Sequence, residues 1–343
     1  VRETELYKIR LTAAAGLNDR YPMPVVRIAI ALLTLSLVSP TYAAPGDCTA
    51  TCWVDAVAGS DTLNHGTSAG DAFATLQKAI DTVDAGGTVH AAPGLYAPNF
   101  TVVPKSVTLL GAQAGVDPLT RDPDAAVESV VQSNICFSVT GVSAQVTIDG
   151  FVFRNKSAGT GTGISAGAGL NDVGATVTVV RNIFDDAHIG ISAVLADNAS
   201  SFSISHNRWI GGGTGIQMLG DVGAATLSVD ANRFEAIANA AVSVFEWAGA
   251  SITDNTITSQ GGPSDPIQVG GCAGCTIARN TITATGGFCA ISLIGSNDPS
   301  MNCTIEGNTI TNPTRADSYG IYVSPQVFGT TITGNTITGA REV

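Results

Sequence analysis

Basic residues are scarce in this chain, and lysine runs out early. No lysine occurs after Lys156, and charged residues make up only 13% of the 343 positions. Acids outnumber lysine and arginine 28 to 16, and there are four histidines. A chain so poor in cations has no basic face for a phosphate backbone, which excludes nucleic-acid binding. Tight binding of anionic polymers is excluded too, unless cations bridge. Long apolar runs are also missing, apart from Ile28 to Val38, which is too short to span a bilayer comfortably. With Met23-Pro-Val-Val-Arg27 before it and Thr41-Tyr42-Ala43 after it, that run reads as a secretory signal peptide. Residues 1–22 then read as an extension upstream of the true start. The expectation is a secreted or periplasmic chain that begins near Ala44 or Pro45 and has no membrane span. Residues 1–44 carry three acids and five bases, so their removal leaves 25 acids against 11 bases, a net charge of −14.

What the chain does have is a repeated phrase: an aliphatic, two residues, an asparagine, one residue, a large apolar. The copies are Val179-Asn182-Phe184, Ile204-Asn207-Trp209, Val229-Asn232-Phe234, Ile252-Asn255-Ile257, Ile277-Asn280-Ile282, Ile305-Asn308-Ile310 and Ile332-Asn335-Ile337. The asparagines are 25, 25, 23, 25, 28 and 27 residues apart. A fixed period in this range marks a solenoid with one supersecondary unit per repeat. Apolar–polar alternation around each asparagine reads as short strands. A further strand signal follows each asparagine by 9 to 13 residues, as at Ile191, Ile216 and Val242. Each rung therefore has three strands, one tight corner and two looser turns. Stacked rungs give three parallel sheets around one apolar core. Asparagine tolerates a left-handed backbone, so it is expected to turn the corner itself. Its amides should stack as a hydrogen-bonded ladder, which makes all seven scaffold. Trp209 falls on an inward position and is expected in the core.

Upstream, Val146-Thr-Ile148-Asp-Gly-Phe151-Val-Phe153 keeps the phrase with Phe151 in place of the asparagine, so the ladder is expected to start at Asn182. The resulting division is 1–44 extension and signal, 45–96 cap and first strand, 97–178 irregular rungs and 179–343 ladder rungs. The phrase runs almost to Val343 without a capping segment, and the expectation is a C-terminal partner or a missing C-terminal segment. Seven cysteines are compatible with export. Cys48 and Cys52 are expected to staple the N-terminal cap. Cys275 and Cys303 hold equivalent inward positions on neighbouring rungs and are expected to stack as thiols. Cys272-Ala-Gly-Cys275 has zinc-knuckle spacing, with no second pair or histidine near it in sequence.

An open solenoid end needs a cover. Phe73, Leu76, Ala79, Ile80 and Val83 fall at helical spacing with Asp71 as the expected N-cap, so a short helix should plug the first rung. Trp53-Val-Asp-Ala-Val-Ala-Gly59-Ser-Asp61, Gly66-Thr67-Ser68, Phe73-Ala-Thr75-Leu76-Gln77-Lys78-Ala79-Ile80, Gly86-Gly87-Thr88-Val89 and Pro93-Gly94-Leu95-Tyr96 resemble the opening of bacterial secreted proteins of the pectin-lyase-like superfamily. The resemblance covers 53–96 through this opening and 146–337 through the repeats. It implies an all-β, right-handed parallel β-helix. That fold hosts lyases, hydrolases, epimerases and adhesins, so function has to come from the site.

In enzymes of that superfamily the cleft lies on the strand after the wide loop. Its outward residues here are Ser192, Gln217, Ser243, Gln268, Ser292 and Tyr322, none of them charged. Charged candidates must come from the flanking turns. Asp185, Asp186 and His188 form the best catalytic cluster, since two carboxylates beside an imidazole can serve as acid and base on a glycosidic bond. Pectin hydrolases of the superfamily also carry an Asp-Asp pair, but their Gly-His-Gly and Arg-Ile-Lys signatures are absent here. Glu246 beside Trp247, taken as an exposed aromatic, is a sugar-binding pair, and Asp265, Arg315, Tyr319 and Tyr322 are placed on the same side. Calcium could bind at Asp185 and Asp186, though no dedicated calcium loop occurs. Thr-Ile-Thr after the last four asparagines predicts two exposed threonine columns, a pattern that resembles ice-binding faces and equally suits any exposed strand. The sequence therefore points to an exported polysaccharide-binding or cell-surface scaffold. A polysaccharide lyase or glycoside hydrolase acting on uronate glycans is the alternative, and ice binding is a remote third.

Overall fold

The computed structural model describes residues 46–339, except 99, 142, 156–160, 167–173, 196–199, 223–224, 260–261, 263, 286–287, 297–299 and 312–318. The described chain winds into a parallel β-helix of three long parallel sheets with 11, 10 and 9 strands. The first sheet carries the strands before each corner, such as Ser201–Ser205. The second carries those after it, such as Arg208–Ile210. The third carries those after the wide turn, such as Thr214–Val222. Register is kept from rung to rung: Val179, Ile204 and Val229 align in the first sheet, and Phe184, Trp209 and Phe234 in the second. This is the right-handed β-helix expected of a pectin-lyase-like chain.

The asparagine ladder is continuous from Asn182 to Asn335. Each asparagine's backbone N–H donates to the next one's Oδ1 at 2.9–3.0 Å. Each Nδ2 donates to the same oxygen at 2.9–3.2 Å. Contrary to expectation, the asparagines do not supply the left-handed backbone. The residue before each does: Arg181, His206, Ala231, Asp254 and Arg279 have φ of 52–56°, and Gly307 and Gly334 have φ of 62°. The corner needs one left-handed residue and one buried amide. Because the amide must point inward to reach the next rung, the two tasks fall on neighbouring residues.

Where Phe151 replaces asparagine, another device closes the corner. Asn182 Oδ1 still accepts the Phe151 N–H at 2.9 Å. Arg121, from the loop before the Ser129–Ser133 strand, lays its guanidinium into the corner and donates to the carbonyl oxygens of Arg181 at 2.6 Å and of Gly150 and Phe151 at 3.4 Å. Glu128 balances its charge at 2.6 Å, and both side chains are buried. The buried charge is tolerable because it is paired and nearly saturated with acceptors.

The core of the second sheet is a stack of rings. Phe153, Phe184, Trp209 and Phe234 follow one another at 5.1, 4.6 and 4.4 Å, and Trp209 is 1% exposed, as expected of a core residue. The facing third-sheet strands make room with glycine. A Cβ on Gly190 would sit 2.1 Å from the Trp209 indole nitrogen, and one on Gly215 would sit 2.6 Å from the Phe234 ring.

At the N-terminal end a helix spans Leu76–Thr82 and buries Leu76, Ala79 and Ile80. Its N-cap is Thr75, whose side chain accepts the Lys78 N–H, rather than Asp71. Asp71 instead accepts from Thr67 Oγ1 and the His65 N–H. Phe73 stays extended because it pairs with Val54 and because Asp61 accepts the next two backbone N–H groups. Cys48 and Cys52 are joined in a disulfide, as expected. Cys275 and Cys303 are free, buried neighbours, since Thr276 and Thr304 are in register. Residues 1–44 lie outside the described residues.

Candidate functional site

The third sheet presents the face where the resemblance puts a cleft. Ser138, Ser165, Ser192, Gln217, Ser243, Gln268, Ser292 and Tyr322 align in one uninterrupted register. At about 4.8 Å per rung this column is roughly 34 Å long. Two residues further along each strand runs a second column of Val194, Leu219, Phe245, Gly270 and Ile294. Gly270 is accommodating: a Cβ there would lie 2.6 Å from the Phe245 ring, so the ring folds over it. The face therefore carries a hydroxyl-and-amide stripe beside an apolar stripe, with no charge in either; within the polar stripe Ser243 and Ser292 are buried, at 7% and 3% exposure, so Ser138, Ser165, Ser192, Gln217, Gln268 and Tyr322 form its surface.

At its C-terminal end the polar stripe meets an aromatic cluster. Phe288, 50% exposed, lies 5.0 Å from Tyr319 and 5.7 Å from Tyr322. Asp265 holds this corner. Its Oδ1 accepts the backbone N–H groups of Phe288 at 2.9 Å and Cys289 at 2.7 Å. Three of the expected substrate-side residues, Asp265, Tyr319 and Tyr322, thus come together around Phe288. Phe288 stands outside any repeat phrase, which is why pattern reading passed over it. The only signal for it in the sequence is an aromatic directly after Gly286-Gly287.

The other candidates separate. Asp185 ends a second-sheet strand and pairs with Arg154. Asp186 has φ of 51° and is exposed on the turn into the third sheet, followed by half-buried His188. Glu246 lies at the far end of a third-sheet strand two rungs on, directly after Phe245, which aligns through Leu219 with Val194. The strand Ile189–Leu195 separates that level from Asp186, about 20 Å at ~3.3 Å per residue. A carboxylate pair working on one glycosidic bond spans about 5–9.5 Å. Asp186 and Glu246 therefore do not face each other across one bond.

Trp247 corrects the sequence reading. It is 0% exposed and meets Phe202 of the first sheet edge-on at 5.9 Å. The reason lies one residue earlier: Glu246 takes φ of 58°, which breaks the in–out alternation and swings the indole into the core. Asp265 is likewise buried, at 8% exposure, with one carboxylate oxygen given to the turn. Arg315 lies outside the described residues. Among the described residues no group of three or more His, Cys, Asp or Glu is placed to hold a metal ion. The Thr-Ile-Thr columns are in register on the outer face of the second sheet, from Thr256 to Thr336 and from Thr258 to Thr338.

The corner of the first rungs holds a cavity of about 300 Å3 lined by Pro118, Leu119, Arg181, His206 and Arg233. Its guanidinium groups are already engaged, Arg181 by Asp149 and Arg233 by Glu235.

The described chain is thus a right-handed parallel β-helix, resembling pectin-lyase-like proteins in fold, whose two third-sheet columns carry no charged residue. A family model described as periplasmic copper-binding protein (NosD) matches residues 223–342. No curated protein sequence matches the chain. Among solved structures, a rhamnogalacturonan lyase aligns with a TM-score of 0.44 at 13% identity, over 83% of this chain and 87% of its own. The GH136 lacto-N-biosidase from Eubacterium ramulus aligns with a TM-score of 0.43 at 9% identity, over 84% of this chain and 68% of its own. The Dettilon tailspike protein aligns with a TM-score of 0.35 at 13% identity, over 79% and 68%. The β-helix is read from the strand pairing, not from these likenesses.

Proposed function

We propose that this is an exported polysaccharide-binding β-helix that holds a neutral glycan along the outer face of its third sheet. The observation that carries the reading is the pairing of two uncharged stripes, one polar and one apolar, ending at Phe288, Tyr319 and Tyr322. A pyranose has an apolar C–H face and a hydroxyl rim. Aromatic rings and aliphatic side chains match the first, and serine and glutamine match the second. Export is supported by the apolar run at 28–38 behind Arg27 and by the Cys48–Cys52 disulfide.

Copper, which the matching family's description names, does not fit these residues. Segment 223–342 contains no histidine. Its cysteines are buried. Burial pushes the Cys272 thiol up to about 12, and that thiol sits 3.4 Å from the Gly270 carbonyl oxygen, so it is held as a protonated core group.

The test is affinity electrophoresis in gels containing neutral, pectic or alginate polysaccharides, with product ends assayed in parallel with and without calcium. Retardation by a neutral polysaccharide, lost in Tyr322→Ala and Phe288→Ala, is the expected result. Absence of retardation in every gel would sink the reading. Release of new reducing or unsaturated ends that disappears in Asp186→Asn would replace it with the hydrolase or lyase alternative.

A further inference from the structure

A second pocket lies far from the third sheet, at the N-terminal cap. Its volume is about 430 Å3, within the ~300–1,000 Å3 range of small-ligand sites. The floor is the outer face of the first sheet, where Trp53, His90 and Leu110 stand in register on three adjacent strands. Trp53 and His90 stack at 4.6 Å with their planes 17° apart. The wall is a turn tied down at several points. The Gly111 N–H donates to the Asp149 carbonyl at 2.8 Å, the Ala112 N–H to Ser129 Oγ at 2.8 Å, and Gln113 Nε2 to the Val127 carbonyl at 3.1 Å. A Cβ on Gly111 would meet the Gly150 carbonyl oxygen at 2.3 Å, so the wall cannot pack closer with any other residue there.

Polar capacity in this pocket is left unused. Neither ring nitrogen of His90 has a hydrogen-bond partner among the described residues. Asp55 spends only Oδ1, on the N–H groups of Val57 and Ala58 at 2.8 and 3.0 Å, and Gln113 spends only its amide nitrogen. Burial holds the His90 imidazole below its ordinary value, so at neutral pH it offers one donor and one acceptor. The remaining groups, a carboxylate oxygen and an amide oxygen, are acceptors.

We propose that this pocket binds one neutral pyranose unit, with Trp53 and Pro93 packing on its C–H surface and His90, Asp55 and Gln113 holding its hydroxyls. The carboxylate of Asp55 disfavours uronates, and so does the strongly acidic chain as a whole. This site shares no residue with the third-sheet face, so either can fail without the other.

Fluorescence isolates it. Of the three tryptophans, Trp209 and Trp247 are 1% and 0% exposed, so quenching by acrylamide reports on Trp53. The mature protein is titrated with the methyl glycosides of glucose, galactose and mannose, and with methyl galacturonoside. The expected result is saturable protection of Trp53 by at least one neutral glycoside. Half-saturation should shift roughly tenfold or more in His90→Ala, which corresponds to about 1.4 kcal/mol, and stay unchanged in Tyr322→Ala. Asp55→Asn is the second variant. It keeps Oδ1 for the turn, so it folds even if His90→Ala does not, and it too should weaken protection. No protection by any neutral glycoside, stronger protection by the uronide, or protection unchanged in Asp55→Asn would each overturn the proposal.

Discussion

Replacing Asn207 by alanine tests whether the ladder holds the rungs together. The Asn207 side chain makes five hydrogen bonds. Its Oδ1 accepts from the Asn182 backbone N–H and Nδ2, and its Nδ2 donates to Val179 O, Ser205 O and Asn232 Oδ1. These losses are unequal. Asn182 Nδ2 keeps the carbonyls of Ile148 and Val180, and Asn232 Oδ1 keeps the Asn207 N–H. The Asn182 N–H is orphaned in a residue that is 0% exposed, at about 1–3 kcal/mol. The lost bonds to Val179 and Ser205 add roughly 1 kcal/mol each. The expected destabilisation is therefore about 3–5 kcal/mol, read from the urea midpoint and from hydrogen exchange at the Asn182 amide. Asn335→Ala is the control. It likewise takes the acceptor from a backbone N–H, that of buried Asn308, but Asn335 itself is half-exposed, so water can enter where its side chain stood and the cost should be smaller, at about 1–2 kcal/mol. A cost at Asn207 no larger than about 1 kcal/mol would refute the ladder as a source of stability.

Three further outcomes follow from the packing and the charges. Gly190→Ala should lower stability by about 1–3 kcal/mol because its methyl collides with Trp209, whereas Gly70→Ala, with nothing within 4 Å, should change the thermal midpoint little. Arg121→Leu leaves Glu128 buried and unpaired and should cost about 3–5 kcal/mol in urea unfolding; the double variant Arg121→Leu/Glu128→Leu should recover part of that. Burial raises the Glu235 carboxyl, but hydrogen bonds from Arg208 and Arg233 outweigh it and hold the group below its ordinary 4.5. Its folded value is the lower one, so its contribution is complete above pH 4.5 and is lost as the pH falls through the folded value. Glu235→Gln should therefore flatten the stability–pH curve in that acid window, as measured by urea midpoints at stepped pH.

Much of the architecture was legible in the repeat because a solenoid is quasi-one-dimensional. Each rung contacts only its neighbours, so a period in sequence becomes a register in space. That logic placed Trp209 inside, aligned Ser192 to Tyr322 as one uncharged column and set the start of the ladder at Asn182. It failed where one backbone dihedral overrides alternation. Nothing in Phe245-Glu246-Trp247 announces that Glu246 takes a left-handed conformation, yet that single φ buries Trp247 and removes it from the surface. It failed likewise at Asp71, because the capping role passed to Thr75 once Asp61, more than ten residues upstream, fixed the chain before the helix.

The sequence by itself determined the fold, the inward columns and the neutrality of the Ser192-to-Tyr322 column, since these depend on local period and residue type. Only the tertiary structure decided which side chains meet. It set Phe288 against Tyr319 and Tyr322 and parted Asp186 from Glu246. It also brought Arg121 into a corner some 30 and 60 residues further along the chain, and stacked Trp53 on His90 over an open pocket. Those juxtapositions depend on turn lengths and turn dihedrals. The repeat pattern does not encode them, because rungs that share one core tolerate many different loops at their edges.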